Sequence, residues 1–279
     1  MHSTGVRHWA YWLANVDPQV VAQSPFEMII VDYSADGSGA KAFGPAEVAQ
    51  MQRKPDRSRR LVLAYLSVGE AEDYRYYWNP DWFVHPPVWL DEENPSWKGN
   101  YKVHYWNPEW QKTMYGSPSS YLDKIIAAGF DGVMLDIVDA FDYYSSIRPQ
   151  SDQEMIDFVA SLSDYAKARH PGFLIFPQNA EALLADSHYL SKIDGVTKED
   201  LYFGVRRDGV RNSAGAITYS ISFLDRVLAV GKPVFVVEYL RRPSQVDEFY
   251  QAARAAGLIP YAARRDLSSL TINRLDEEP

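Results

Sequence analysis

The residues best suited to chemistry in this chain are carboxylates placed where apolar runs end. Residues 129–139 read Gly-Phe-Asp-Gly-Val-Met-Leu-Asp-Ile-Val-Asp: the end of a helix, a tight turn at Phe130-Asp131, then an apolar strand that finishes on Asp136, with Asp139 just beyond. The same ending recurs. Asp32 closes an apolar run at 26–33, Glu70 follows one at 61–68, and Gln178 and Asn179 close 173–179. Glu199 ends 194–199, and Glu238 ends the run at 233–239. Acids gathered on one rim suit metal-assisted reactions or cleavage of glycosidic bonds. The second needs two carboxyl groups flanking the bond, one to protonate the leaving oxygen and one to attack carbon or activate water. Asp136 and Glu199 form the expected pair, since strands four and six of a barrel are separated by one strand and let two side chains face each other across a sugar. The plainer alternatives are a salt bridge from Asp136 to a barrel arginine or lysine, and for Glu199 a surface acid at a helix start in Lys198-Glu199-Asp200.

Such a rim requires parallel strands whose C-terminal ends point the same way, and the chain supplies them. Apolar runs at 8–13, 26–33, 61–68, 132–136, 173–179, 194–199, 233–239 and 258–262 alternate with helical patterns. Asp17 and Pro18 open a helix as N-cap and first helical residue, and a second helix follows at 45–52. Helical pattern returns at 108–128, broken at Ser117-Pro118. At 152–169 Met155, Ile156, Phe158, Val159, Leu162 and Tyr165 keep an apolar stripe, with Ser151 and Glu154 spaced as a capping box. Helices at 219–230 and 245–256 are closed by Gly231 and Gly257. Pro177 is expected to stop the fifth strand's ladder. Continuously apolar strands covered by helices imply a parallel α/β sheet, and eight of them in 279 residues predict a (β/α)8 TIM barrel, one catalytic domain over 1–279. A doubly wound open sheet is the weaker alternative, because no Gly-x-Gly-x-x-Gly follows the first strand.

Several function classes recede on composition. A formal charge of -9 argues against a nucleic-acid partner, and the short basic run at 53–60 reads as a solvated loop between helix and strand. The absence of cysteine removes disulfides, thiol catalysis and zinc-thiolate sites. The 6 histidines never stand as His-x-His on a strand, so a zinc site is not expected. A carboxylate-built magnesium site, and with it a lyase or aldolase, stays open as a weaker reading. Phosphate binding is weaker still: the loops after strands seven and eight carry Arg241-Arg242 and Arg264-Arg265, which suit an anion, but lack the glycines. Neither metal nor cofactor is expected. No apolar run reaches a membrane span. The start shows no signal-peptide pattern, which fits a cytoplasmic protein or an exported one whose signal has been removed.

The regular alternation fails at 71–107, where Trp, Tyr, Pro and Asn crowd without a period. An irregular stretch of this length is expected to be a lid or binding loop inserted after strand three. Trp and Tyr in loops form flat platforms, and stacking on a sugar ring is expected of at least one of Trp78, Trp82, Trp89, Trp97 and Trp106. A carbohydrate-binding barrel without catalysis would use these rings and not the acids.

The run Ser67-Val68-Gly69-Glu70-Ala71-Glu72-Asp73-Tyr74-Arg75, together with Gly129-Phe130-Asp131-Gly132-Val133-Met134-Leu135-Asp136, resembles glycoside hydrolase family 114. That is the endo-α-1,4-polygalactosaminidase family, and the likeness is to its little-characterised bacterial and archaeal branch. The resemblance extends from Tyr11 to Tyr261. It implies a β/α barrel, Asp136 as the strand-four aspartate and Glu199 as the strand-six glutamate after Asp194-Gly195-Val196. It also implies a polymer of α-1,4-linked galactosamine, wholly or partly deacetylated, as substrate. A cationic polymer suits an acidic rim. On this reading Asp32, Glu70, Asp139 and Glu238 contact amino groups, and Tyr11, Tyr65, Tyr74, Arg75, Trp78 and Asn179 complete the substrate contacts.

Overall fold

The apolar runs pair as parallel strands in a computed structural model that describes residues 5–274. In chain order the elements are β1 (Trp9–Trp12), α1 (Pro18–Gln23), β2 (Met28–Val31), α2 (Pro45–Met51), β3 (Leu61–Ser67), β4 (Glu70–Glu72), β5 (Leu90–Glu93), β6 (Asn100–Val103), α3 (Pro108–Met114) and α4 (Tyr121–Ala128). They continue with β7 (Gly132–Asp136), α5 (Ala140–Tyr144), α6 (Ser151–Arg169), β8 (Leu174–Pro177), α7 (Ser187–Lys192), β9 (Val196–Glu199), α8 (Ala214–Ala229), β10 (Val234–Glu238), α9 (Pro243–Ala255) and β11 (Ile259–Ala262). Strands β1-β2-β3-β7-β8 and β9-β10-β11 form two parallel arcs of one α/β barrel, and these are the eight expected strands. Asp17 caps α1 by accepting from the Gln19 amide at 2.8 Å.

Two prolines account for the seams between the arcs. Successive backbone N–H groups of a strand point to opposite neighbours. In β8 the Leu174 and Gln178 amides bond β7-side carbonyls, while those of Ile175 and Asn179 bond Asp194 and Thr197 on the β9 side. Pro177 therefore removes the middle bond toward β9 and leaves one bridge, Gln178 with Thr197. The strand ends at Pro177 as expected, with one further bond toward β7, from the Gln178 amide to the Leu135 carbonyl. Pro260 acts likewise in β11: the Ala263 amide bonds Glu238 of β10, so the proline's missing N–H faces β1. That seam is held by the Trp9 indole on the Ile259 carbonyl at 2.9 Å.

The segment expected to be an irregular loop is folded. Strands β4, β6 and β5 pair antiparallel in that order, with Glu70 opposite Lys102 and Ala71 opposite Tyr101. Trp89, just before β5, is buried against Trp110 of α3, with ring centroids 5.0 Å apart. Three further expectations are corrected. Arg60 is not solvated: it is fully buried, donating to the carbonyls of Phe26 (2.8 Å), Met51 (2.5 Å) and Ser24 (2.5 Å). It thereby satisfies two loop carbonyls and the last carbonyl of α2, which burial would otherwise orphan. Ser151 does not cap α6; it lies inside the helix and donates to the Phe141 carbonyl at 2.9 Å, while Glu154 pairs with Arg148. Helix α8 starts earlier than expected, capped by Ser213.

The Gly-Phe-Asp-Gly motif serves opposite ends of β7. Asp131, at the N-terminal end, accepts from the Val62 amide at 2.8 Å and pairs with Arg59, tying strand to neighbour. Asp136, at the C-terminal end, faces a cleft.

Candidate active site

The cleft opens at the C-terminal ends of the barrel strands and has a volume of about 500 Å³. Asp136 and Glu199, the last residues of β7 and β9, both line it. Each carboxylate is held by one tyrosine hydroxyl and one side-chain amide. Asp136 accepts from Tyr65 Oη at 2.9 Å and Gln178 Nε2 at 3.2 Å. Glu199 accepts from Tyr239 Oη at 2.9 Å and Asn179 Nδ2 at 3.2 Å. Among the described residues neither makes a salt bridge, which removes the ion-pair alternative for Asp136. Glu199 is half-buried at a strand end and not on a helix surface.

The backbone turns sharply beside both acids. Ile137, Asn179, Ala180 and Asp200 adopt left-handed φ between 53° and 56°, a conformation that costs a non-glycine residue of order 1 kcal/mol or more. Ile137 is β-branched, for which this is a true outlier. The Gly69 of the Ser-Val-Gly-Glu run lies against that turn: a Cβ there would sit 2.2 Å from the Ile137 carbonyl oxygen and 2.7 Å from Ala140 Cβ. Only glycine lets the end of β3 approach the backbone that aims Asp136.

Burial and like charge make this an electrostatically loaded site. Burial, reinforced by Glu199 and Asp139, pushes the Asp136 carboxyl up to about 8. Asp139 is raised to about 6 by burial and then Glu199, with Lys198 opposing. Burial likewise holds the Tyr11, Tyr65 and Tyr239 phenols well above their ordinary range, so they stay protonated donors. Lys198 Nζ bridges Glu181 and the Asn179 amide oxygen, both at 3.2 Å. The same oxygen accepts from the Glu199 amide at 3.2 Å, which obliges the Asn179 NH2 to face the Glu199 carboxylate.

Arg75 also lines the cleft but is fully engaged, at 2.7 Å from Asp32 and 2.5 Å from Glu72, with Tyr74 completing the group through a 2.6 Å bond to Glu72. Asp32 nonetheless has its carboxyl raised to about 6, burial outweighing the guanidinium. Asn94 and Asn100, delivered by the added sheet, bind Glu70 at 2.7 and 3.4 Å. Among the described residues, no group of three His, Asp or Glu is placed to hold a metal ion.

Of the residues singled out from sequence, Tyr11, Asp32, Tyr65, Glu70, Tyr74, Arg75, Asp136, Asp139, Asn179 and Glu199 all line this cleft. Trp78 and Glu238 do not. Trp78 packs against Trp82, Phe83 and Tyr101 within the insertion, 4.9–5.3 Å between ring centroids. Glu238 is fully buried, with Oε1 accepting from the Tyr202 amide at 2.7 Å and Oε2 unpartnered; burial raises its carboxyl to about 8. The residue that faces the cleft at the end of β10 is the next one, Tyr239, because adjacent strand residues face opposite ways. Glu72, named only within the motif, also lines the cleft, as do Gln178, Trp97 and Arg265, the last of which reads in the sequence as a loop arginine suited to an anion. Gln178 stood among the strand-end residues and carried that signal, and Trp97 is the one tryptophan of the five that reaches the cleft, 56% exposed.

Comparisons with known proteins agree with this fold. The sequence model of glycoside-hydrolase family GH114 matches residues 2–277. An uncharacterised protein of Methanocaldococcus jannaschii is 39% identical over 92% of this chain and 75% of its own length. One from Thermotoga maritima is 34% identical over 96% of this chain and 84% of its own. Among solved structures, the glycoside hydrolase domain of PelA from Pseudomonas aeruginosa superposes with a TM-score of 0.71 at 19% identity, covering 95% of this chain and 97% of that one. A maltogenic α-amylase, AmyB from Thermotoga neapolitana, shares the fold at TM-score 0.54 and 11% identity, over 94% of this chain and 68% of its own. With a family match over nearly its whole length, the chain belongs to glycoside hydrolase family GH114.

Proposed function

We propose that this glycoside hydrolase cuts within an α-1,4-linked, galactosamine-containing polysaccharide, with Asp136 as nucleophile or base and Glu199 as acid/base. The observation that carries the pair is their matched setting: two carboxylates at strand ends on one cleft, each oriented by a tyrosine hydroxyl and an amide. Free, the site resists ionisation of Asp136. An ammonium group on the bound sugar offsets that cost, because a nearby cation favours the charged carboxylate. The lining as a whole favours a cationic ligand: eight acidic residues face two arginines. Both arginines are already ion-paired, Arg75 with Asp32 and Glu72, Arg265 with Asp200 and Asp208. The chain works as one catalytic barrel, and its insertion supplies Tyr74, Arg75 and Trp97 to the cleft wall.

The test is hydrolysis of de-N-acetylated oligogalactosamine, with products resolved by mass spectrometry. Asp136→Asn and Glu199→Gln should each abolish cleavage of the natural linkage. An aryl glycoside with a good leaving group needs no acid, so Glu199→Gln should retain activity on it and Asp136→Asn should not. The opposite pattern reverses the roles. Wild-type rates in either variant remove that residue from the pair, and loss of wild-type activity on chelation would favour a metal-dependent lyase.

A further inference from the structure

Beside the acidic cleft lies a second concavity of opposite charge. It sits on the same end of the barrel, between the loop that follows β9 and the turn that joins β10 to α9. Its volume is about 530 Å³, and Arg207, Arg241 and Arg242 line it with Asp208 and Gln245. Asp208 is spoken for by Arg265, at 2.6 Å. Among the described residues the three arginines have no carboxylate within ion-pairing distance, whereas neighbouring Arg211 and Arg264 each have one and Arg265 has two. Three like charges converging without a counter-charge repel one another, and a bound anion relieves that repulsion. The convergence stands out in a chain of formal charge -9.

The walls are held in place without a ligand. The β9 loop closes on itself through the Phe203–Arg211 bridge and the Gly204 amide on the Val210 carbonyl at 3.0 Å. Gln245 Nε2 on the Gly209 carbonyl, at 2.8 Å, fastens the loop tip to the first turn of α9. Tyr239 lines both concavities, and its hydroxyl is the one that holds Glu199. A glycan occupying the cleft thus has an arginine-lined pocket at its flank.

We propose that this pocket binds a carboxylate or phosphate group carried by the glycan, away from the linkage being cut. Guanidinium forks match such planar or tetrahedral anions through paired charge-assisted hydrogen bonds. The substrate is then a polymer of mixed charge, amino sugar in the cleft and acidic group beside it. This rests on the amino-sugar reading of the cleft.

The experiment is calorimetric titration in the Glu199→Gln background, where bound sugar is not consumed. Three probes are used: inorganic phosphate, a galactosamine tetramer, and the same tetramer carrying one galacturonate unit. The galacturonate should tighten tetramer binding by about tenfold, with the gain lost in Arg207→Ala/Arg241→Ala/Arg242→Ala and weakened by salt. These side chains are exposed, so an unchanged melting curve is expected of the triple variant. Equal affinity of the two tetramers, or a gain that survives in the triple variant, overturns the proposal. Phosphate binding that needs the arginines, without any gain from galacturonate, makes the pocket a free-ion site and overturns the glycan assignment. If neither tetramer binds, the amino-sugar reading of the cleft fails, and the phosphate titration alone shows whether the arginines form an anion site.

Discussion

Asp136→Asn should abolish turnover and at the same time stabilise the protein, by an amount that grows with pH. The native fold raises the Asp136 carboxyl from 3.8 to about 8, so between those values the folded state binds more protons than the unfolded chain. Stability then falls as pH rises. Asp136 imposes no cost below about pH 3.8, and its full cost is reached above about pH 8. Undiscounted, a shift of some 4 units corresponds to about 5–6 kcal/mol. Asp136 keeps part of its surface on the open cleft, and solvent screening reduces the effect to about 1–3 kcal/mol. Asparagine fills the same volume, can accept from Tyr65 through its amide oxygen, and carries no charge. The assay is thermal or urea unfolding of wild type and variant at pH 4.5 and pH 8. The melting advantage of the variant should widen by roughly 2–8 °C across that interval. An advantage that does not change with pH would show that the cleft does not oppose ionisation of Asp136, and the electrostatic account of the site would be wrong.

Other perturbations probe the groups around the pair. Gly69→Ala places a methyl against the Ile137 turn and should cost about 1–3 kcal/mol together with most of the activity; unfolding and kcat measured side by side check this, and an unchanged kcat would mean that the turn does not aim Asp136. Lys198→Met frees the Asn179 amide and removes the cation that restrains proton uptake by Asp139; kcat should fall and the pH–rate profile move to higher pH, and Lys198→Arg should restore part of both. Trp97→Ala should raise KM on long polymers and leave kcat on a small aryl glycoside unchanged, and equal effects on both substrates would refute a platform role. Glu238→Gln should fold and turn over near wild type, because the buried carboxyl is held largely protonated at neutral pH; strong loss of activity would return Glu238 to the candidate machinery.

The eight apolar runs and the acids at their ends are local patterns, which is why the barrel and the cleft positions of Asp32, Glu70, Asp136, Asp139 and Glu199 could be read from the chain alone, whereas Tyr11, Tyr65, Tyr74 and Arg75 came with the family resemblance. Period and run length depend only on near neighbours, and parallel strands buried on both faces leave them unbroken. Asp136 could be recognised because a carboxylate that ends an apolar strand is costly without a purpose. Choices between adjacent residues were decided by tertiary structure. Glu238 drew attention as an acid, yet strand pleat puts Tyr239 on the cleft and Glu238 behind it. The insertion looked irregular because its order comes from pairing Glu70 with Lys102 and Ala71 with Tyr101, partners about thirty residues apart that leave no periodic trace. Arg60 read as solvated because sequence does not reveal which carbonyls would be stranded around it. The gathering of Arg207 with Arg241 and Arg242 needed two loops to meet. Sequence carries what the backbone and its immediate neighbours impose, whereas facing, partner choice and proton affinity depend on which distant groups share a buried space, and only the folded chain decides that.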